Sequence, residues 1–271
     1  MPPIRFYKMT GSGNDFVFVD ARGDDALAAR AMAPDWIQRV CAPRFGVGAD
    51  GVVVVQEDPG HAFRIAYFNA DGSRANLCGN ASLCAARLGM SLGIADPSGF
   101  TFGSDAGVLR GRLREGRIEV DLNPFDRLEP AVPVALAPGE RRAGFGFPTV
   151  PHLVVEVDDV DAVDVAGRGP VLRHDPHFEA GTNVNWVSRT PEGWAMRTFE
   201  RGVEGETLAC ASGATTCAAV LRAWGATGDE TAFRTRSGRT LRIRFTQTEA
   251  GRVPSISGGA RIVFTGEIGE I

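Results

Sequence analysis

One short stretch occurs twice in this chain, and that repeat constrains the fold more than any other feature. Asn76-Leu77-Cys78-Gly79-Asn80-Ala81-Ser82 and Leu208-Ala209-Cys210-Ala211-Ser212-Gly213-Ala214 each set a cysteine among small residues at the start of a helix-like run. Each cysteine stands fifteen positions before the glycine that closes its run, Gly93 and Gly225. The approaches also match, through Phe68-Asn69-Ala70-Asp71-Gly72 in one copy and Phe199-Glu200-Arg201-Gly202 in the other. Such self-similarity implies two similar halves, each delivering one thiol.

Between these runs, apolar segments bounded by turns read as strands and outnumber the helices. Amphipathic spacing predicts a short helix over 35–44, with Trp36, Ile37, Val40 and Cys41 on one face. A hairpin is expected over 108–114 and 117–122, and a short acidic helical stretch over 158–174. Asn123-Pro124 and the proline-rich 130–138 segment mark a change of domain. The expected class is α+β, with two pseudo-symmetric halves, 1–122 carrying Cys78 and 123–259 carrying Cys210. Each half is read as a curved, mostly antiparallel sheet wrapped around a central helix. The glycine-rich segment Phe45-Gly46-Val47-Gly48-Ala49-Asp50-Gly51 leads into a strand and lacks the G-x-G-x-x-G spacing, so a dinucleotide fingerprint is rejected.

A net charge of −4 with no basic run argues against nucleic acid or an anionic membrane as partner. No apolar stretch is long enough to span a bilayer, and the N-terminal residues lack a signal-peptide apolar region. A cytoplasmic, reducing location is therefore expected, with thiols rather than disulfides. The spacings of Cys41, Cys78, Cys84, Cys210 and Cys217 do not resemble zinc sites, so no metal is expected. Lys8 is the only lysine, which weakens any Schiff-base proposal.

Cys41, Cys84 and Cys217 lie among large apolar residues and read as small buried hydrophobes. Cys78 and Cys210 do not. At a helix start the exposed N–H groups and dipole favour an anion, and a thiol pKa of about 8.5 can fall to roughly 3.5–7.5. Two such thiols suit stereoinversion without a cofactor, a thiolate removing a proton from carbon while a thiol delivers one to the opposite face. The same helix starts can bind an α-carboxylate through backbone N–H groups and stabilise the charge developing as the proton leaves.

The residues resemble those of the diaminopimelate epimerase family over essentially the whole chain. The matching segments are Gly11-Ser12-Gly13-Asn14-Asp15-Phe16, Gly46-Val47-Gly48-Ala49-Asp50-Gly51, Phe68-Asn69-Ala70-Asp71-Gly72-Ser73, Cys78-Gly79-Asn80, Gly181-Thr182-Asn183, Glu200-Arg201-Gly202 and Glu206-Thr207-Leu208-Ala209-Cys210. The resemblance implies two halves closing on substrate, with the last strand, 260–271, returning to the first half. It implies pyridoxal-independent interconversion of LL- and meso-2,6-diaminopimelate, on the route to lysine and peptidoglycan. By position, Cys210 takes the proton from the LL isomer and Cys78 returns one. Gly79, Asn80, Ala211 and Ser212 hold the reacting carboxylate, while Asn14, Asn69, Asn183, Glu200 and Arg201 make polar contacts to substrate. His152 matches a histidine near the reacting centre, and reads equally as a satisfied structural histidine. Asn69 and Asn80 read also as turn residues with local hydrogen bonds. Phe264 matches an aromatic at the family's subunit contact, which implies a homodimer.

This chain departs from the family pattern at Val150, where many members carry asparagine, and at Gly51, where some carry glutamine. Ala211 stands where glycine is usual, and Asn185 where an acidic residue is usual. None of these is a proton-transfer residue, while several bear on recognition of the second amino-acid group. Two other readings therefore stay open: a racemase of another amino acid on the same scaffold, and a non-catalytic thiol redox or binding protein.

Overall fold

A computed structural model describes residues 2–249 and 251–270 of the chain. They form two compact units, one of residues 2–121 with 257–270 and one of 122–249 with 251–256.

The first unit runs β1 (Ile4–Gly11), β2 (Asn14–Asp20), α1 (Asp25–Ala31), α2 (Pro34–Cys41), β3 (Gly51–Gln56), β4 (Arg64–Asn69), β5 (Arg74–Ala75), α3 (Gly79–Ser91), β6 (Phe100–Ser104), β7 (Gly107–Arg114) and β8 (Arg117–Asp121). The second runs β9 (Arg127–Glu129), β10 (Glu140–Phe147), β11 (His152–Val157), a 3-10 turn at Val160–Ala162, α4 (Val165–Arg173), β12 (Asn183–Thr190), β13 (Gly193–Glu200), β14 (Gly205–Thr207), α5 (Ala211–Ala223), β15 (Glu230–Arg234), β16 (Thr240–Thr248) and β17 (Gly251–Ser257). The last strand, β18 (Ala260–Ile268), pairs antiparallel with β1 from Ile4↔Ile268 to Gly11↔Ala260.

Strand pairing repeats between the units. In the first, β1 pairs antiparallel with β2, β2 parallel with β3, β3 antiparallel with β4, and β4 parallel with β6. In the second, β10, β11, β12, β13 and β15 follow the same sequence of antiparallel and parallel pairings. A short antiparallel strand precedes the long helix in each case, β5 on β4 and β14 on β13. The fold is α+β with mostly antiparallel pairing.

Each unit encloses one long helix and covers the other sheet face with shorter ones. In α3, nine of thirteen residues are buried, and in α5 ten of thirteen. Neither helix carries the one-sided apolar stripe of a surface helix, as expected when a sheet wraps it. Strand alternation divides β2 between two faces. Val17 and Val19 join Trp36, Ile37 and Val40 of α2 in one core, leaving Phe16 and Phe18 on the opposite face. In the second unit Leu153, Val155, Trp186 and Phe199 pack with Val165 and Leu172 of α4.

The helix expected over 35–44 begins at Pro34 and ends at Cys41. Pro34 occupies the first helical position, where its missing N–H has no intrahelical acceptor to lose. The helical stretch expected over 158–174 divides into the 3-10 turn and α4, each capped by its own aspartate, Asp159 and Asp164. The sole lysine, Lys8 in β1, is buried; it lies 2.5 Å from Asp15 and donates to the Gly48 carbonyl.

Candidate functional site

Cys78 and Cys210 are the N-cap residues of α3 and α5, two helices of thirteen residues each. Their backbones are nearly superposable in angle: φ −131°, ψ 116° for Cys78 and φ −129°, ψ 113° for Cys210. An N-cap projects its side chain towards the first amides of the helix, which lack intrahelical acceptors. At Cys210 this interaction is made, the Gly213 N–H donating to Sγ at 3.4 Å. Gly213 keeps this turn open, since a Cβ there would lie 3.2 Å from Cys210 Sγ.

In the first unit the site residues form a directed chain. Asp50 Oδ2 accepts from Asn14 Nδ2 at 2.9 Å and from the Asp15 N–H at 3.1 Å. A carboxylate can only accept, so Asn14 must turn its amide nitrogen to Asp50 and its oxygen the other way. That oxygen accepts from Asn80 Nδ2 at 2.6 Å. Asn80 follows Cys78 by two positions, and its Oδ1 is buried with no hydrogen-bond partner among the described residues. Asn69, at the end of β4, is held separately: Tyr67 Oη donates to its Oδ1 at 3.0 Å, and its Nδ2 donates to Ser73 Oγ at 3.0 Å. Gly51 permits that arrangement, because a Cβ there would lie 2.9 Å from the Tyr67 ring and 2.3 Å from the Phe68 carbonyl.

In the second unit, His152 starts β11 and pairs in register with Asn183 on β12. His152 Nε2 lies 2.9 Å from Ser212 Oγ, and Ser212 Oγ lies 3.5 Å from Cys210 Sγ. Asn183 is anchored to the main chain, one Nδ2 hydrogen donating to the Pro151 carbonyl at 2.9 Å and its Oδ1 accepting from the Arg201 N–H at 2.8 Å. It thereby fixes the turn that carries Glu200 and Arg201. His152 is fully buried, and burial, reinforced by the Arg201 charge, pushes its pKa down to about 3. The ring is therefore neutral near pH 7.

The other three thiols are chemically quiet. Burial pushes Cys41 up to about 12 and drives Cys84 and Cys217 well upward, so all three stay protonated near neutrality. Among the described residues, no group of three or more His, Cys, Asp or Glu side chains is placed to hold a metal ion, and no helix is long and apolar enough to cross a membrane.

The structure thus groups Cys78, Gly79, Asn80 and Asn14 in one unit, with Asn69 held nearby through the Ala70 N–H to Asp50 carbonyl bond of 3.1 Å. In the other it groups Cys210, Ala211, Ser212 and His152, with Asn183, Glu200 and Arg201 on the adjoining strand ends. Sequence reasoning did not assign Asp50, Tyr67 or Asn185 to the site. Asp50 lies in the glycine-rich segment and Asn185 at a departure from the family pattern, but their partners Asn14 and His152 are 36 and 33 residues away.

Comparison with known proteins follows the same lines. The sequence model of the family described as Diaminopimelate epimerase matches residues 6–124 and 148–262. The diaminopimelate epimerase of Gemmatimonas aurantiaca is 44% identical, over 98% of this chain and 99% of that protein. That of Aquifex aeolicus is 38% identical, over 98% of each. Among solved structures, a phenazine biosynthesis protein of the PhzF family from Bacillus anthracis superposes with a TM-score of 0.76 at 14% identity, covering 99% of both chains. A hydroxyproline epimerase from Agrobacterium vitis does so with a TM-score of 0.69 at 15% identity, covering 98% of this chain and 92% of that one. At such identities these two structures establish the fold alone.

Proposed function

The chain belongs to the diaminopimelate epimerase family, and from that premise we propose how its own residues divide the work of epimerising diaminopimelate. It is an isomerase of lysine biosynthesis. Cys78 and Cys210 are read as the acid–base pair acting on one α-carbon. The observation that carries this reading is their matched placement as N-caps of the two enclosed helices.

In the LL-to-meso direction, the Cys210 thiolate removes the α-proton and the Cys78 thiol delivers one to the opposite face. Each helix start favours a thiolate through its dipole and first-turn amides. The N–H groups of Gly79, Asn80, Ala211 and Ser212 are read as donors to the substrate α-carboxylate. Such donors stabilise charge that grows as the carbon is deprotonated, each worth about 10²–10³ in rate where measured. Asn14 and Asn69 contribute polar contacts from the first unit, and Asn183, Glu200 and Arg201 from the second. Glu200 suits an ammonium and Arg201 a carboxylate. His152 supports the site through Ser212 rather than by touching the reacting carbon. No cofactor enters this scheme. A cytoplasmic location fits a mechanism that requires reduced thiols. The family's homodimer would draw on β18, where Phe264 is 48% exposed.

The experiment is incubation of the reduced protein with LL-diaminopimelate in deuterium oxide. Meso product with solvent deuterium at one α-carbon is expected. Absence of both would remove the epimerase reading. Full turnover by Cys78→Ala would remove the two-thiol mechanism even if the reaction survived. A panel of mono-amino acids in the same assay distinguishes a racemase of another amino acid.

A further inference from the structure

Asn185 is the third residue of β12, is completely buried, and places its amide against three neighbours. Its Nδ2 lies 2.9 Å from the Leu153 carbonyl oxygen and 3.2 Å from His152 Nδ1, while its Oδ1 lies 3.0 Å from Thr198 Oγ1. The Leu153 carbonyl only accepts, so Nδ2 must face it, and the reverse orientation would press two oxygens together. Thr198 then donates to Oδ1, and the second Nδ2 hydrogen points to His152 Nδ1. A ring nitrogen that receives an N–H carries no proton of its own. The single proton of the neutral imidazole therefore resides on Nε2, and Nε2–H donates to Ser212 Oγ at 2.9 Å. The remaining neighbour of that hydroxyl among the described residues is Cys210 Sγ, 3.5 Å away.

We propose that Asn185 is a positioning residue for Cys210: it fixes His152 as the Nε2–H tautomer, so that the Ser212 hydroxyl donates to the Cys210 sulfur. Every bond from Thr198 to Cys210 then points one way. The sulfur at its end is set as an acceptor, the state in which it takes a proton from carbon. An acidic residue at position 185 could not do this, because a carboxylate accepts and would draw a proton onto Nδ1. Gly213 belongs to the same device. A Cβ there would lie 2.4 Å from Asn185 Oδ1, so this turn of α5 leaves room for the amide. The burial that keeps His152 uncharged supports the neutral form.

The functional meaning of this relay rests on Cys210 being the proton-transfer thiol, but its tests do not. In the ¹⁵N-labelled full chain, with His152 assigned by its loss in His152→Gln, the ring is expected as neutral Nε2–H at pH 7. A proton on Nδ1 would overturn the proposal. Asn185→Asp is expected to place a proton on Nδ1, and a ring unchanged by that substitution would also overturn it. Sulfur is read directly by alkylation of Cys210 with iodoacetamide in a Cys78→Ala background, followed by peptide mass spectrometry. Ser212→Ala should slow alkylation at pH 7 about tenfold, the effect of losing one hydrogen bond to a charged group, and Ser212→Thr should restore most of it. Equal rates for Ser212→Ala and its parent count against the relay. Intact relay signatures without deuterium exchange would remove the reaction and leave the relay. Exchange by the unsubstituted enzyme, with no effect of either variant on ring or sulfur, would remove the relay alone.

Discussion

Keeping His152 neutral and fully buried makes the second unit sensitive to mild acid, by an amount the structure allows to be worked out. The ordinary imidazole value is 6.5, and in the folded chain burial and then the Arg201 charge lower it to about 3. A group depressed on folding contributes stability that is fully present above its unfolded value and is lost as pH falls towards its folded one. Between these values the unfolded chain holds a proton that the native chain refuses, so stability declines with pH by up to about 1.4 kcal/mol per unit. Integrated from pH 7 to pH 5, this one histidine removes about 2 kcal/mol, a sizeable share of the roughly 5–15 kcal/mol that holds a domain together. Glu140 and Glu206 are also perturbed, but in a different window. Burial raises Glu140, and Arg168, the Ala137 N–H and Trp186 together outweigh it; Arg197 lowers Glu206 against burial. Both end below the ordinary 4.5, so their contributions disappear only at lower pH. The assay is urea unfolding at pH 7, 6 and 5, followed by tryptophan fluorescence. In a Trp36→Phe background the remaining tryptophans, Trp186, Trp194 and Trp224, all report on the second unit. The parent should lose about 2 kcal/mol over this range and His152→Gln should lose little. Equal losses in the two proteins would refute the argument.

Asp50→Ala removes the acceptor that sets the Asn14 and Asn80 amides, and steady-state kinetics should show KM raised about 5- to 30-fold, with a smaller change in kcat, as expected for about 1–2 kcal/mol of lost orientation. Gly213→Ala should destabilise the second unit by about 1–3 kcal/mol in chemical denaturation, because displacing the Asn185 amide outweighs the roughly 1 kcal/mol that alanine gains in a helix. Iodoacetamide on the native protein at pH 8 should label Cys78 and Cys210, and peptide mapping should find Cys41, Cys84 and Cys217 modified only after denaturant is added.

Much of the architecture was legible because each half carries its own punctuation. The repeat located both cysteine turns, and the helices begin one residue after Cys78 and Cys210. What escaped had a local signal pointing the wrong way. Strand β10, Glu-Arg-Arg-Ala-Gly-Phe-Gly-Phe, reads as loop because of its glycines. A Cβ at Gly144 would lie 2.7 Å from Val220, and one at Gly146 would lie 2.6 Å from Thr216, so these glycines let the strand approach α5. Strand β17 contains Pro254, which ordinarily demotes a strand; here the proline carbonyl accepts from the Leu122 N–H at 2.8 Å. Trp224 stands seven residues after Cys217, a spacing that reads as core, yet it caps the C-terminus of α5, half-buried, with Arg142 4.2 Å from its ring centroid. Helix α1 is only seven residues, too short for periodicity to announce. At the site, residue types were readable and hydrogen-bond direction was not. Direction depends on which partner is obliged to accept, and the Leu153 carbonyl and the Asp50 carboxylate reach their amides only in the folded chain.

The buried lysine has a practical consequence. A chain with one lysine offers amine-directed side-chain reagents a single address, and here that address is shut. Lys8 is enclosed, paired with Asp15 and bonded to the Gly48 carbonyl of the glycine-rich segment. Acylation of Lys8 therefore requires the segment to lift away. The yield of that one adduct over time is a clock for how often the first unit opens, built into the natural chain without any introduced label.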